Sequence, residues 1–295
     1  MNDRHARVDR SRELLEARYE RLRESRRTGP LVAVVERFLE VDGLTQGGLV
    51  AIELFTTVIP LMILGFAYYS DFSADASVGN LFIHELGLHH PLDERVREAF
   101  GSYSGLQGTW TFFGVASFLV WGIPMSITVA AMFARAWRRE QFGLGEKLGR
   151  GALWFVLYLV TAIVRTQISY GGRHGAVVRV LLLLLALVPT WVFWSFSPWL
   201  LVRDGGRGWR NLLLAGGAGV VIDGIVLAVA AHIAFPILLD GWTGFGPIGV
   251  AMTLMTWCGV IGVGWVVTAC ASAIVWEHSA PADTVIDSQT ADPAS

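Results

Sequence analysis

NLLLAGGAGVVIDGIVLAVAAHIAFPILL, residues 211–239, decides what kind of protein this is. The run holds one acid, Asp223, and one histidine, His232, in an otherwise almost wholly apolar stretch. It is longer than the roughly 20 residues with which an α-helix crosses a hydrocarbon core about 30 Å thick. Backbone N–H and C=O groups in hydrocarbon must bond within their own segment, so such a run reads as a spanning helix. Outward from it the same pattern recurs at 49–69, 112–134, 151–170, 176–200 and 248–276. Only GGRHG, 171–175, separates the third and fourth stretches. A re-entrant hairpin over 151–200, leaving four full spans, is the alternative to six.

Composition agrees. The 295 residues are 53% hydrophobic and 16% charged, against roughly 25% charged in a soluble domain. The chain therefore reads as an all-α, polytopic membrane protein with a bundle of about six transmembrane helices, and a soluble enzyme is excluded. A net charge of -2 carries no basic signature for nucleic acid. Cys258 and Cys270 stand twelve residues apart on one expected helix, about 18 Å by helical rise, too far for a disulfide.

Lysine and arginine set the orientation. The N-terminal segment, 135–150 and 201–210 carry eighteen; the alternate connections with their flanks carry five, among them Arg165, Arg173 and Arg179. By the positive-inside rule both termini lie in the cytoplasm, a parity that the four-span alternative shares. Residues 1–48 form a cytoplasmic N-terminal segment, 49–277 the membrane domain and 278–295 a disordered tail without aromatic or basic side chains apart from His278. Within the first, Leu31, Val34, Val35, Phe38 and Leu39 follow helical spacing while Glu36, Arg37 and Glu40 face away. That is an amphipathic helix for the inner leaflet. The long outer loop, 70–111, has room for two short capping helices.

Polar residues inside the spans are the candidate site, because a charge in hydrocarbon needs a partner, water or a proton. Glu53 has two readings, a proton or cation ligand in the bundle or a structural group near the inner interface. Asp223 sits near midplane, with Arg165 as its candidate cation; a working site and a register-fixing pair both remain open. His232 is half a turn away round the helix and about 13.5 Å along it, and reads as an interfacial histidine. Pro60 and Pro124 are expected kinks, and Gly219 and Gly262 belong to small-xxx-small packing faces. His89 and His90 lack metal-ligand spacing and no phosphate-binding loop exists. No catalytic residue, metal or cofactor is expected.

Four stretches together resemble the YihY/BrkB membrane proteins, once labelled ribonuclease BN-like. They are GGLVAIELFTTVIPLMILG (47–65), MFARAWRREQFGLGEKLGRGALW (132–154), WSFSPWLLVRDGGRGWRNLLLAGGAGVVID (194–223) and GFGPIGVAMTLMTWCGVIGVGWVVTACASAIV (244–275). The likeness covers about 30–277, with Thr57 and Pro60 in the family's Ser and Pro places. Glu53 stands where the family has an aromatic or small residue, so no role for it is inherited. The closing TACASAIVWE also departs from the family's polar helix end. The resemblance implies a six-helix protein of the bacterial inner membrane, tied to envelope integrity and to lipid transport or arrangement. It supplies no catalytic residues, and the clustered His and Asp ligands of a metallo-nuclease are absent from the sequence. The expectation is a non-enzyme whose partners are membrane lipids, not nucleic acid, with homo-oligomerisation left open. An ion-coupled small-solute transporter using Glu53 and Asp223 is the alternative, and an intramembrane enzyme the third reading.

Overall fold

The computed structural model describes residues 20–21, 23, 25, 28–69, 103–170, 176–203, 205, 208–242, 245 and 247–279. Among them all regular structure is helical. In chain order the helices are α1 (Gly29–Glu40), α2 (Gly43–Tyr69), α3 (Tyr103–Ala136), α4 (Leu144–Tyr170), α5 (Ala176–Leu201) and α6 (Trp209–Gly219). A π-helical segment (Val220–Val226), α7 (Leu227–Trp242) and α8 (Pro247–Ser279) complete them. Four helical stretches are long and apolar enough to cross a membrane: Leu144–Arg165, Val180–Leu201, the continuous rod Trp209–Trp242, and Ala251–Ser279. They fall on the last four of the six expected stretches; α2 and α3 cover the first two as continuous helices.

Two compact units make up the chain, residues 1–51 with 126–295, and residues 52–125. In the smaller unit α2 runs on through position 60, and the hydroxyls of Thr56 and Thr57 donate back to the Glu53 carbonyl at 3.0 and 2.6 Å. Such bonds satisfy Ser and Thr inside an apolar helix. Pro124 lies inside α3 without ending it.

In the larger unit α4 and α5 are antiparallel neighbours. Arg150 Nη1 donates to the Leu200 carbonyl at 3.3 Å, and Trp154 Nε1 to Ser197 Oγ at 2.8 Å. At 27 and 26 residues each helix is about 40 Å long, so each can cross the core by itself, where a re-entrant hairpin needs shorter arms. Pro189 and Pro198 sit inside α5, and Pro236 inside α7.

Glycines set the closest approaches. A Cβ on Gly262 of α8 would come within 2.3 Å of the Gly47 carbonyl oxygen on α2, and one on Gly219 within 2.1 Å of Trp194 Cγ on α5. At the first the two backbones approach as only glycine permits, and at the second the indole of Trp194 fills the space a Cβ would take. Cys258 and Cys270 are both buried and free on α8.

At the arginine-rich end, Arg37 of α1 is buried. Its Nη1 donates to the Ala136 carbonyl at the end of α3 (2.6 Å), and its Nη2 to both oxygens of Glu277 on α8 (2.9 Å each). On the side expected to face away from the leaflet, Arg37 is thus turned into the protein, because a helix-end carbonyl and a carboxylate supply it with what water otherwise would. Arg138, at φ 49 just past α3, grips Glu40 through Nε at 2.8 Å and through Nη2. The helix α8 continues through Ser279, so His278 and Ser279 belong to it and not to the tail: His278 Nδ1 lies 2.8 Å from the Ile274 carbonyl and Ser279 Oγ donates to Trp276. Residues 280–295 and the expected loop cap within 70–102 lie outside the described residues.

Candidate intramembrane polar site

Two charged side chains are buried among the described residues, Arg37 at the bundle end and Asp223 in the membrane-length rod. Asp223 occupies the π-helical segment VVIDGIV. A π turn carries an extra residue between hydrogen-bonded groups and is often found where a helix serves a site. It is flanked by the glycines that let the rod lie against α5. Gly219 faces the flat of Trp194, Gly216 faces Ser195, and a Cβ on Gly224 would stand 3.0 Å from Leu187 Cδ2. Removing Cβ atoms on both sides of Asp223 brings its carboxyl within reach of α5 and α4.

The carboxyl meets groups from α4, α5 and α8. Trp194 Nε1 on α5 donates to Oδ2 at 3.2 Å, and the Tyr158 hydroxyl on α4 to Oδ1 at 3.4 Å. Arg165 Nη1, two turns beyond Tyr158, stands 3.9 Å from Oδ2. Trp154, Phe193 and Trp265 complete an aromatic wall. Trp265 stands edge-on to Tyr158 at 4.8 Å between centroids and to Trp154 at 5.0 Å, while Trp154 and Tyr158 stack at 5.8 Å. Trp265 Nε1 is buried and makes no hydrogen bond of ordinary geometry among the described residues, yet it lies close enough to act on both Asp223 and Tyr158.

These contacts are long. Charge-assisted bonds to a carboxylate settle near 2.7–2.9 Å, whereas here two neutral donors lie beyond 3 Å and the guanidinium beyond hydrogen-bond range. The carboxyl is thus held by several long contacts and by no short charge-assisted bond. Arg165 is 32% exposed on its side chain, and its neighbours Val160, Ile163 and Val164 are exposed apolar residues. The Arg165 side chain therefore stands between the Asp223 carboxyl and the exposed apolar face of α4.

Of the residues singled out in the sequence, Arg165 and Asp223 come together, across α4 and the rod. Glu53 lies in the smaller unit, where its carbonyl accepts the two threonine hydroxyls. Gly219 and Gly262 are both at close crossings. The His232 side chain, and Arg173, His89 and His90, lie outside the described parts. Among the described residues no group of three His, Cys, Asp or Glu could hold a metal ion.

Sequence reasoning missed Tyr158, Trp194 and Trp265. The spacing of Trp154, Tyr158 and Arg165, four and then seven residues, already put all three on one face of α4. Trp194 and Trp265 carry no such signal, because they reach Asp223 only through packing between helices. No protein-family model, curated protein or solved structure matches this chain.

Proposed function

We propose that the chain is a non-enzymatic, multi-pass protein of the bacterial inner membrane, of YihY/BrkB type, that serves envelope integrity by moving or arranging amphipathic lipid. It has six spans and both termini in the cytoplasm. Arg165 is the observation that carries this reading: an arginine on a helix face rich in exposed apolar residues, its side chain one third exposed and its guanidinium backed by a buried carboxylate. Arg165 lies fifteen residues along α4 from Arg150, about 22 Å by helical rise. That separation leaves its Cα inside a hydrocarbon core about 30 Å thick, nearer the border opposite the arginine-rich end, toward whose headgroups a long arginine side chain can reach. A guanidinium matches a phosphate with paired donors, and Asp223 offers it an alternative partner when no headgroup is bound. The orientation draws support from the eighteen-to-five split and from the way Arg37, Arg138, Arg150 and Arg203 gather where α3, α5 and α8 end.

Reconstitution into vesicles tests this reading, with fluorescent phospholipid in one leaflet and small-ion indicators inside. The wild-type protein is expected to speed lipid transfer between leaflets at least tenfold over empty vesicles, and Arg165→Gln to remove most of that gain. Ion flux with static lipid would overturn it in favour of the ion-coupled transporter, a reading that the buried Asp223 in a π turn favours.

A further inference from the structure

The first helix presents its side chains the opposite way from a helix of a soluble protein. Arg37 is 3% exposed, while Leu31, Val35 and Leu39, one per turn along one face, are 67%, 57% and 69% exposed, and Leu44 at the start of α2 is 69% exposed. The arginine is held by four polar groups, the Ala136 carbonyl, both oxygens of Glu277 and, at 3.5 Å, Glu40. Arg37 is thus turned to the bundle, Glu36 and Glu40 stay partly exposed, and the leucine stripe is what α1 offers outward.

We infer that α1 is a docking surface for an anionic phospholipid leaflet, held to the bundle through Arg37. Charge and position argue for that occupant. At the same end of the larger unit Arg135 and Arg210 are exposed, and beside Arg210 the Trp209 indole is 69% exposed, as an interfacial tryptophan is. The acids of α1 do not oppose an anionic surface: Glu36 lies 3.8 Å from Arg23, and Glu40 is bonded by Arg138. Apolar side chains at one level with basic ones are what an amphipathic helix needs to sit at the headgroup boundary of an acidic membrane. A second copy of the chain would cover the leucines and leave these cations facing one another. The inference is independent of what Arg165 binds.

Spin labels on full-length protein test it, with Cys258 and Cys270 replaced by Ala and single cysteines introduced as Val35→Cys, Leu39→Cys and Glu36→Cys. The protein is placed in nanodiscs of phosphatidylcholine alone or with phosphatidylglycerol. Labels at 35 and 39 are expected to collide with oxygen more than with a water-soluble nickel complex, and the label at 36 to show the reverse. The oxygen-to-nickel ratio at 35 is expected to rise at least twofold when phosphatidylglycerol is present. Adding Arg37→Gln is expected to raise label mobility at 39 in protein that still elutes as a single folded species. Nickel access at 35 and 39 in both lipids would overturn the proposal. Shielding from both reagents would overturn it too, by showing a protein surface on the stripe, and equal ratios in the two lipids would remove the anionic partner. Unchanged mobility with Arg37→Gln would remove the Arg37 tether.

Discussion

Two arginines of the larger unit meet carboxylates in contrasting ways. Arg37 closes on Glu277 with two bonds of 2.9 Å and caps a helix carbonyl besides, while Arg165 stops 3.9 Å from Asp223 and keeps a third of its side chain exposed. A buried ion pair stabilises only when its geometry is good and its remaining donors are satisfied. The Arg37 cluster meets that condition and ties α1, α3 and α8 together. The Asp223 site is held by longer contacts, with no bond shorter than 3.2 Å between its carboxyl and Trp194, Tyr158 or Arg165. The contrast separates an architectural joint from a site, and it can be broken at four places.

On stability, the largest effect is expected from Arg37→Ala, which leaves Glu277 and the Ala136 carbonyl without their donor. Breaking a buried pair from one side costs about 3–5 kcal/mol, to be read as a fall in thermal midpoint in detergent. The double change Arg37→Met with Glu277→Leu should recover most of it; no recovery would mean that the pair does more than hold helices. Next come the close crossings. Gly219→Ala drives a methyl into Trp194 and Gly262→Ala drives one into the Gly47 carbonyl, and such overpacking costs about 1–3 kcal/mol. A stability unchanged by Gly262→Ala would mean that α2 and α8 can separate freely.

At Asp223 the expectation divides stability from activity. Asn keeps one acceptor oxygen for Trp194 and can turn its amide N–H toward the Tyr158 hydroxyl oxygen, and the partly exposed Arg165 can hydrate, so Asp223→Asn should cost less than about 1 kcal/mol. Lipid transfer in vesicles, or rescue of an envelope-stress phenotype, should nevertheless be lost at normal protein level. Full activity would reduce Asp223 to a packing group.

The smallest effect is a pH dependence at Glu40. The hydrogen bond from Arg138 holds its carboxyl below the ordinary value of 4.5, against the opposing pull of partial burial. With the folded value depressed, the contribution of Glu40 is complete above the unfolded value near 4.5. It is lost as pH falls through the lower folded value. Melting midpoints should therefore drop more steeply below about pH 4.5 in wild type than in Glu40→Gln. Parallel curves would show that the Arg138 contact contributes nothing measurable, as for many exposed pairs.

Much of the helical layout was legible because hydrocarbon leaves the backbone few choices. A run such as 211–239 must bond internally, and its length alone matches a bilayer. The four long apolar helices lie where hydropathy put them, and Gly219 and Gly262 stand at crossings because small residues four apart make a flat face. The pairing of Asp223 with Arg165 could be named as a candidate, since few charges occur inside the spans. The π turn could not, because seven residues of VVIDGIV suit an ordinary α turn equally well and the choice depends on what packs around them.

By itself, the sequence determined a chain of long apolar helices, of the length and composition that cross a membrane, with an asymmetric arginine distribution and a rare acid deep in one of them. Only the tertiary structure decided which faces of the helices point inward. Periodicity shows that α1 has a polar and an apolar side, but not that a carbonyl from α3 and a carboxylate from α8 wait for Arg37. In a protein whose surroundings are as apolar as its core, hydrophobicity cannot tell inside from outside. That decision rests with the few polar groups that find partners 99 and 240 residues away.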